Sequence, residues 1–155
     1  MKKIKICADP FPPYQYINDN GEAEGLDHEL INAAFNDAGY SMDIKIAPWN
    51  EVIDAFEKKE YDALFQVQDT PERRKKYFLS YKLRDAVTDV VKVAGSGIQA
   101  DSYDKLSEYR IGLIDGFANG EDIDRLPEEC KIFHEDTREM IDALTAGEID
   151  VAVCD

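Results

Sequence analysis

Apolar residues recur along the chain with two periods, one typical of buried strands and one typical of amphipathic helices. Short apolar or alternating runs predict strands at residues 3–8, 42–46, 61–67, 86–94, 110–114, 131–133 and 149–154. Between them, apolar stripes at helical spacing predict helices that begin near residues 27, 49, 70, 102 and 137. Strands that alternate with helices in this way indicate an α/β protein.

One helix-and-strand unit occurs twice. Residues 51–65 resemble residues 139–153 through the pairs Glu51/Glu139, Ile53/Ile141, Asp54/Asp142, Ala55/Ala143, Phe56/Leu144, Glu60/Glu148 and Asp62/Asp150. Either such units resemble each other because every helix and strand must bury one face, or the chain holds two similar α/β lobes. Two such lobes would bind a ligand between them, at the carboxyl ends of both sheets.

The segment that follows the first copy of this unit has the features of a helix start beside an anion site. Thr70 suits the N-cap, Pro71 suits the first helical position, and Glu72 lies where the helix dipole favours a negative charge. Arg73 adds a guanidinium group that can bind a carboxylate through two hydrogen bonds. We therefore expect a carboxylate-binding site at this sheet edge.

The boundary between the lobes is predicted where a β-branched stretch ends at Gly95-Ser96-Gly97. We expect lobe 1 at residues 1–92, a hinge at 93–97 and lobe 2 at 98–155. The chain stops at Asp155, directly after an apolar strand, although chain ends usually lie in loosely held segments. This predicts that the chain is truncated and that lobe 2 is incomplete.

Two aromatic residues are candidates for contact with a ligand. Phe11 lies in a loop with three prolines, which prevent helix formation and hold the backbone extended. Trp49 lies at a strand-to-helix junction on the same predicted sheet edge. Each ring either lines a binding pocket or covers the core of its lobe.

Composition excludes several classes of partner. The net charge of −15 argues against nucleic acid and anionic membranes, because both would repel the protein. Cys7, Cys130 and Cys154 lack paired spacing, and with only His28 and His134 available they predict core thiols and no zinc site. The chain carries no nucleotide-binding or hydrolase motif, so we expect no cofactor, no metal and no catalytic residue.

Several motifs together resemble the type II periplasmic solute-binding fold, and in particular the family 3 amino-acid-binding proteins of ABC importers. They are Gly25-Leu-Asp-His-Glu-Leu30, Trp49-Asn-Glu-Val-Ile53, Thr70-Pro-Glu-Arg73 and Leu144-Thr-Ala-Gly-Glu-Ile-Asp150. The resemblance implies two Rossmann-like lobes, the second of them incomplete. It also implies a protein without catalytic activity that closes around a small polar solute.

The resemblance also implies a role for each candidate residue. Arg73, with backbone N–H groups near Thr70, would bind the α-carboxylate of an amino acid, and Asp155 would bind its α-ammonium group. Phe11 and Trp49 would form the walls of the side-chain pocket. The remaining expected ligand-binding residues are Gln66, Gln68, Gly116, Phe117, Ala118 and Asn119.

Two of these segments differ from the usual family pattern. Gln66 and Gln68 stand where family members carry small hydroxyl residues, and Phe117-Ala118 follows Gly116 where a Ser or Thr is usual. Both differences remove hydroxyl groups and add bulk to the expected site. They change the hydrogen bonds that a ligand can make there.

The leading hypothesis is periplasmic or extracellular binding of an amino acid or related carboxylate, with a membrane permease as partner. One alternative is the ligand-sensing domain of a membrane receptor. Another is a dehydratase-like enzyme on the same fold, with Asp9, Asp69 or Asp115 as its acid. A truncated second lobe would also leave apolar surface through which two copies could associate.

Overall fold

The computed structural model describes residues 1–155, which divide into two α/β units, Met1–Gln68 and Asp69–Asp155. The boundary between the units lies before the expected hinge at 93–97. The position of the hinge stays a prediction. In chain order, the first unit contains β1 (Lys2–Ala8), β2 (Tyr16–Ile17), β3 (Ala23–Glu24), α1 (Leu26–Asp37), β4 (Tyr40–Ile46), α2 (Trp49–Glu57) and β5 (Ala63–Leu64).

The core of the first unit is a parallel sheet with strand order β4-β1-β5. Side chains of β1 alternate between its two faces. Ile6 and Ala8 pack with Ile31 of α1, whereas Cys7 packs with Val52 of α2. The two helices therefore cover opposite faces of the sheet, an arrangement common in α/β proteins.

The second unit contains α3 (Pro71–Lys76), β6 (Asp89–Val91), α4 (Tyr103–Leu106), β7 (Ile111–Ile114), α5 (Glu121–Asp124), a 3₁₀ turn (Glu128–Cys130), β8 (Lys131–His134), α6 (Thr137–Ala146) and β9 (Val151–Cys154). Its sheet has the order β6-β9-β7-β8, in which β7, β8 and β9 are parallel and β6 is antiparallel. Ile111 and Leu113 pack on one face, and Ile114 packs with Met140 of α6 on the other.

The long strand expected at residues 86–94 is wrong in its length. Only Asp89–Val91 pairs, with Ala152, Val153 and Cys154 of β9. The β-branched composition of this stretch favours extended backbone, but a strand exists only where a neighbouring strand accepts its hydrogen bonds. Val87 and Val93 lie outside the pairing, and both are exposed.

The repeat seen in the sequence has a physical basis in the backbone. Asp62 accepts a hydrogen bond from Lys5 N (2.9 Å) and its own N–H donates to Lys5 O (2.8 Å). Asp150 makes the same pair of bonds with Arg110, at 2.8 and 2.9 Å. The side-chain hydrogen bond from Arg110 also holds the pKa of the Asp150 carboxyl below its ordinary value. In each unit this aspartate therefore ties the incoming strand to its parallel neighbour, β5 to β1 and β9 to β7.

The helix ends of the two copies also match. Glu60 N donates to Ala55 O (3.1 Å), and Glu148 N donates to Ala143 O (2.9 Å). The preceding residue is left-handed in each copy, Lys59 with φ 62° and Gly147 with φ 76°. One backbone geometry therefore serves both repeats, with a glycine in the second and a lysine in the first.

The cysteines are free thiols, as predicted. Cys7 and Cys130 are buried and Cys154 is half-buried. Burial raises the pKa of the Cys7 thiol to about 11. None of the helices combines the length and the apolar composition that crossing a membrane requires.

The two helix ends allow a reciprocal test. Lys59→Gly should raise the free energy of unfolding by about 0.5 to 1 kcal/mol, because a left-handed conformation costs an L-residue about 1 to 2 kcal/mol and glycine little. Gly147→Lys should lower it by about 1 kcal/mol. Urea unfolding measures both.

Lys58→Gly is the matched control, because Lys58 lies one residue earlier with right-handed backbone, φ −74°. It should destabilise the protein. If Lys59→Gly lost as much stability as Lys58→Gly, the left-handed backbone at Lys59 would be contradicted.

Candidate functional site

Three strands of the first unit end at one sheet edge. Ala8 of β1 pairs with Ile46 of β4, and Cys7 of β1 pairs with Leu64 of β5. The segments that follow these strands carry Phe11, Trp49 and Gln66. These candidates therefore leave the sheet at the same edge, as their positions in the sequence predicted.

The loop after β1 is tightly closed. Phe11 N donates to Gln15 O (2.7 Å), and Gln15 N donates back to Phe11 O (3.1 Å). Gln15 is wholly buried, and its Nε2 donates to Asp9 O (3.1 Å). The Phe11 ring stacks on Tyr14, with centroids 5.6 Å apart. The loop therefore fixes a half-buried aromatic ring at the sheet edge.

The start of α1 holds this loop from the other side. Leu26 N donates to Pro13 O (3.1 Å), and Asp27 N and His28 N both donate to Tyr14 O, at 2.9 and 3.2 Å. The sequence places the start of this helix near Asp27, but the Asp27 side chain does not cap it. The N-cap position is Gly25, and loop carbonyls satisfy the first N–H groups of the helix in place of a side chain.

Asp27 has a different role, which the sequence did not reveal. Its buried carboxylate, 6% exposed, accepts a hydrogen bond from the Gln66 side-chain amide. Gln66 has a left-handed backbone, with φ 64°, directly after the strand β5 and Phe65. The contact ties the turn after β5 to α1. The expected contact between Gln66 and a ligand stays a prediction, as does that of the half-buried Gln68.

Trp49 is the first residue of α2 and is half-buried. It packs against the cluster formed by Cys7, Ala47 and Val52. The ring thus covers the core of the unit, which was one of the two alternatives for this residue. Its role as a pocket wall stays a prediction.

The helix start around Thr70 is confirmed. Thr70 is the N-cap of α3 and its hydroxyl accepts a hydrogen bond from Arg73 N (3.2 Å), with Pro71 at the first helical position. Arg73 is half-buried. The next residue, Arg74, is exposed and binds the Asp69 carboxylate through Nε (2.5 Å) and Nη2. The two neighbouring arginines therefore differ in environment.

In the second unit, the candidates follow the parallel strands β7 and β9. Gly116 turns the chain after β7 with φ 75°, and Phe117 N donates to Ile114 O (3.2 Å). Phe117 packs against the core, and the Asn119 side chain folds back to donate to Phe117 O (3.3 Å). Ala118, which lies between these two residues in the chain, is half-buried. The loop is thus an ordered turn whose backbone geometry is set from within.

Asp155 follows β9, the strand beside β7 in the sheet. Its Oδ1 accepts a hydrogen bond from the Thr88 hydroxyl (2.6 Å), which precedes β6. Thr88 is a neighbour of the site that the sequence analysis did not identify.

Comparison with known proteins decides the family. The model of the bacterial extracellular solute-binding proteins, family 3, matches residues 4–127. This chain belongs to that family. No curated protein matches the sequence.

Solved structures confirm the fold of this family 3 chain. An ancestral arginine-binding protein bound to arginine has a TM-score of 0.83 at 21% identity, over 99% of this chain and 70% of that one. An arginine-bound Gly52Ala mutant of ArgBP from T. maritima has a TM-score of 0.85 at 18% identity, over 98% of this chain and 72% of that one. An arginine 3rd transport system periplasmic binding protein from Legionella pneumophila has a TM-score of 0.81 at 20% identity, over 100% of this chain and 69% of that one. The predicted α/β fold class is confirmed.

The family match spans most of the candidate site. It includes the loop after β1, Trp49, the Gln66–Arg73 segment and the loop after β7, and it ends before Asp155. The expected role of Asp155 therefore rests on its position after β9 and on the resemblance. The family is one of bacterial extracellular solute-binding proteins.

The contact between α1 and the loop allows a test of the geometry. A Cβ atom on Gly25 would lie 2.4 Å from Tyr14 O, and the backbone there has φ 126°, which L-residues rarely adopt. Gly25→Ala should therefore lower the free energy of unfolding by about 2 to 5 kcal/mol. Urea unfolding at fixed temperature measures it.

Gly21→Ala is the matched control, because Gly21 also has positive φ, 81°, but nothing lies within 4 Å of its Cβ position. We expect Gly21→Ala to lower the free energy of unfolding by about 1 kcal/mol. If both variants lost the same free energy of unfolding, the close approach of Gly25 to Tyr14 would not contribute to stability.

Proposed function

We propose that this chain binds an amino acid outside the cytoplasm and delivers it to the permease of an ABC importer. The observation that carries the proposal is the family match, because it spans the loops at the carboxyl ends of β1, β4, β5 and β7. The similar structures named above are of arginine-binding proteins, and a further one is an ancestral arginine-binding protein bound to glutamine. Arginine and glutamine are therefore the first ligands to test.

The proposed chemistry is recognition of a zwitterion. Arg73 would bind the α-carboxylate through its guanidinium group, since an arginine and a carboxylate can form two parallel hydrogen bonds. Asp155 would bind the α-ammonium group through its carboxylate. Such pairs gain strength when the site excludes water.

The other candidates would shape the site around the ligand. Phe11 is held at the sheet edge by a closed loop, which limits the entropy lost when a ligand packs on its ring. Trp49 would pack on the ligand beside it, and Gln66 and Gln68 would supply amide groups in place of hydroxyl groups. The backbone N–H groups of Gly116–Asn119 would complete the carboxylate site, together with those near Thr70.

We place the hinge at residues 93–97, between a first lobe at 1–92 and a second at 98–155. Gly95 and Gly97 both have positive φ, 79° and 70°, and a Cβ at either position would meet no atom within 4 Å. A short exposed segment of this kind can absorb the backbone rotations that accompany closure.

Two alternatives remain to be tested with the same protein. A sensing domain would bind the same ligand, and only its genomic or cellular partners would differ. An enzyme of the dehydratase type needs a protonated acid. Asp9, 7% exposed, is better placed for this than Asp69, which is ion-paired with Arg74, or the exposed Asp115. Loss of a prephenate-like substrate over time would support the enzyme.

The central test is Arg73→Ala in a binding assay with the natural amino acids. A ligand at 100 times its Kd should stabilise the unchanged protein by about 2.7 kcal/mol, which thermal unfolding detects. Arg73→Ala should lose about 2 to 5 kcal/mol of binding free energy, measured by calorimetry, because the ligand carboxylate is left without its partner.

Arg74→Ala is the matched control, since Arg74 is the neighbouring residue, of the same type, but is exposed and ion-paired with Asp69. We expect it to leave affinity unchanged. Absence of stabilisation by every amino acid would refute the proposed function. Equal losses from Arg73→Ala and Arg74→Ala would refute the assigned role of Arg73.

A further inference from the structure

The segment of residues 74–87 exposes its large apolar side chains to an unusual degree. Phe78 is 99% exposed, Tyr81 97%, Val87 69% and Leu83 46%. Between the end of α3 at Lys76 and the start of β6 at Asp89 the chain forms no helix or strand. Apolar residues that are exposed together, unlike single ones, mark surfaces that bind a partner.

The same segment is basic, although the chain as a whole is acidic. It contains five basic residues, Arg74, Lys75, Lys76, Lys82 and Arg84, and one acidic residue, Asp85, which gives it a net charge of +4. Because the whole chain carries −15, the other residues carry −19. Arg74 and Lys82 form exposed ion pairs with Asp69 and Asp85. Exposed pairs of this kind are weak and can exchange for other partners.

We propose that residues 74–87 form a self-association surface, on which a second copy of this chain binds through its acidic surface. The basic side chains would attract that surface, and Phe78 and Tyr81 would supply the apolar contact. In a two-fold dimer each copy contributes its own segment and its own acidic surface, so the contact forms twice. The inference does not depend on the identity of the solute or on the role of Arg73.

Charge selects this occupant over an anionic membrane. A bilayer rich in anionic lipids would attract the segment but repel the remainder of the chain, which carries −19. A second copy is also acidic overall, but unlike a bilayer it carries a basic segment of its own, so the +4 segment of each copy can meet the acidic surface of the other. The segment also contains aromatic residues and two arginines, which are residue types enriched in protein interfaces.

The test is sedimentation of the full chain over a concentration series, at low and at high salt. We expect a reversible dimer that weakens as salt rises, because salt screens the attraction. Phe78→Ser with Tyr81→Ser should weaken dimerisation at least about tenfold, since aromatic residues commonly supply most of the binding energy of an interface. Lys75→Glu with Lys82→Glu should also weaken dimerisation, and the affinity that remains should depend less on salt concentration.

The matched control is Leu26→Ser with Leu30→Ser. These residues are 61% and 53% exposed on α1, but their neighbours Asp27 and Glu29 are acidic. The control should dimerise like the unchanged protein, and circular dichroism verifies that all variants fold. A monomer at every concentration, a dimer that survives the Phe78/Tyr81 change, or an equal loss in the control would overturn the proposal. Cosedimentation with anionic vesicles without dimerisation would overturn it in favour of a membrane.

Discussion

In each of the two units, an aspartate just before a strand hydrogen-bonds to the backbone of the neighbouring parallel strand or the residue that precedes it. Asp62 and Lys5 exchange a pair of hydrogen bonds, as do Asp150 and Arg110. The bonds set the register of the incoming strand against its neighbour. In a strand, a shift of one residue sends every side chain to the opposite face of the sheet. The side chains that emerge at the carboxyl edge, and with them the candidate site, depend on this register.

The edges built in this way differ in how they hold their functional groups. In the first unit the loop after β1 is clamped between its own hydrogen bonds and the start of α1, and the Asp27 carboxylate holds the turn at Gln66. In the second unit the loop after β7 is ordered by Phe117, which packs in the core. Both edges are therefore preorganised. A preorganised site loses less entropy when a ligand binds, which suits a protein whose family binds solutes.

The acidic character of the chain has consequences beyond solubility. The basic side chains between residues 74 and 87 stand out against it, and they coincide with the most exposed aromatic residues. Charge and apolar exposure are independent properties of a sequence. Their coincidence in one irregular segment is the reason to assign it a partner, whereas exposed leucines among acidic residues on α1 carry no such indication.

Local patterns in the sequence determined much of this protein. The N-cap at Thr70, the helix-and-strand repeat, the alternating faces of β1 and the family motifs were predicted because each depends on residues close together in the chain. Only the tertiary structure decided that loop carbonyls cap α1, that Asp27 binds Gln66, and that Asp89–Val91 alone forms β6. Each of these depends on a hydrogen-bond partner far along the chain. Propensity favours a backbone conformation, but it cannot specify which distant group completes the bond.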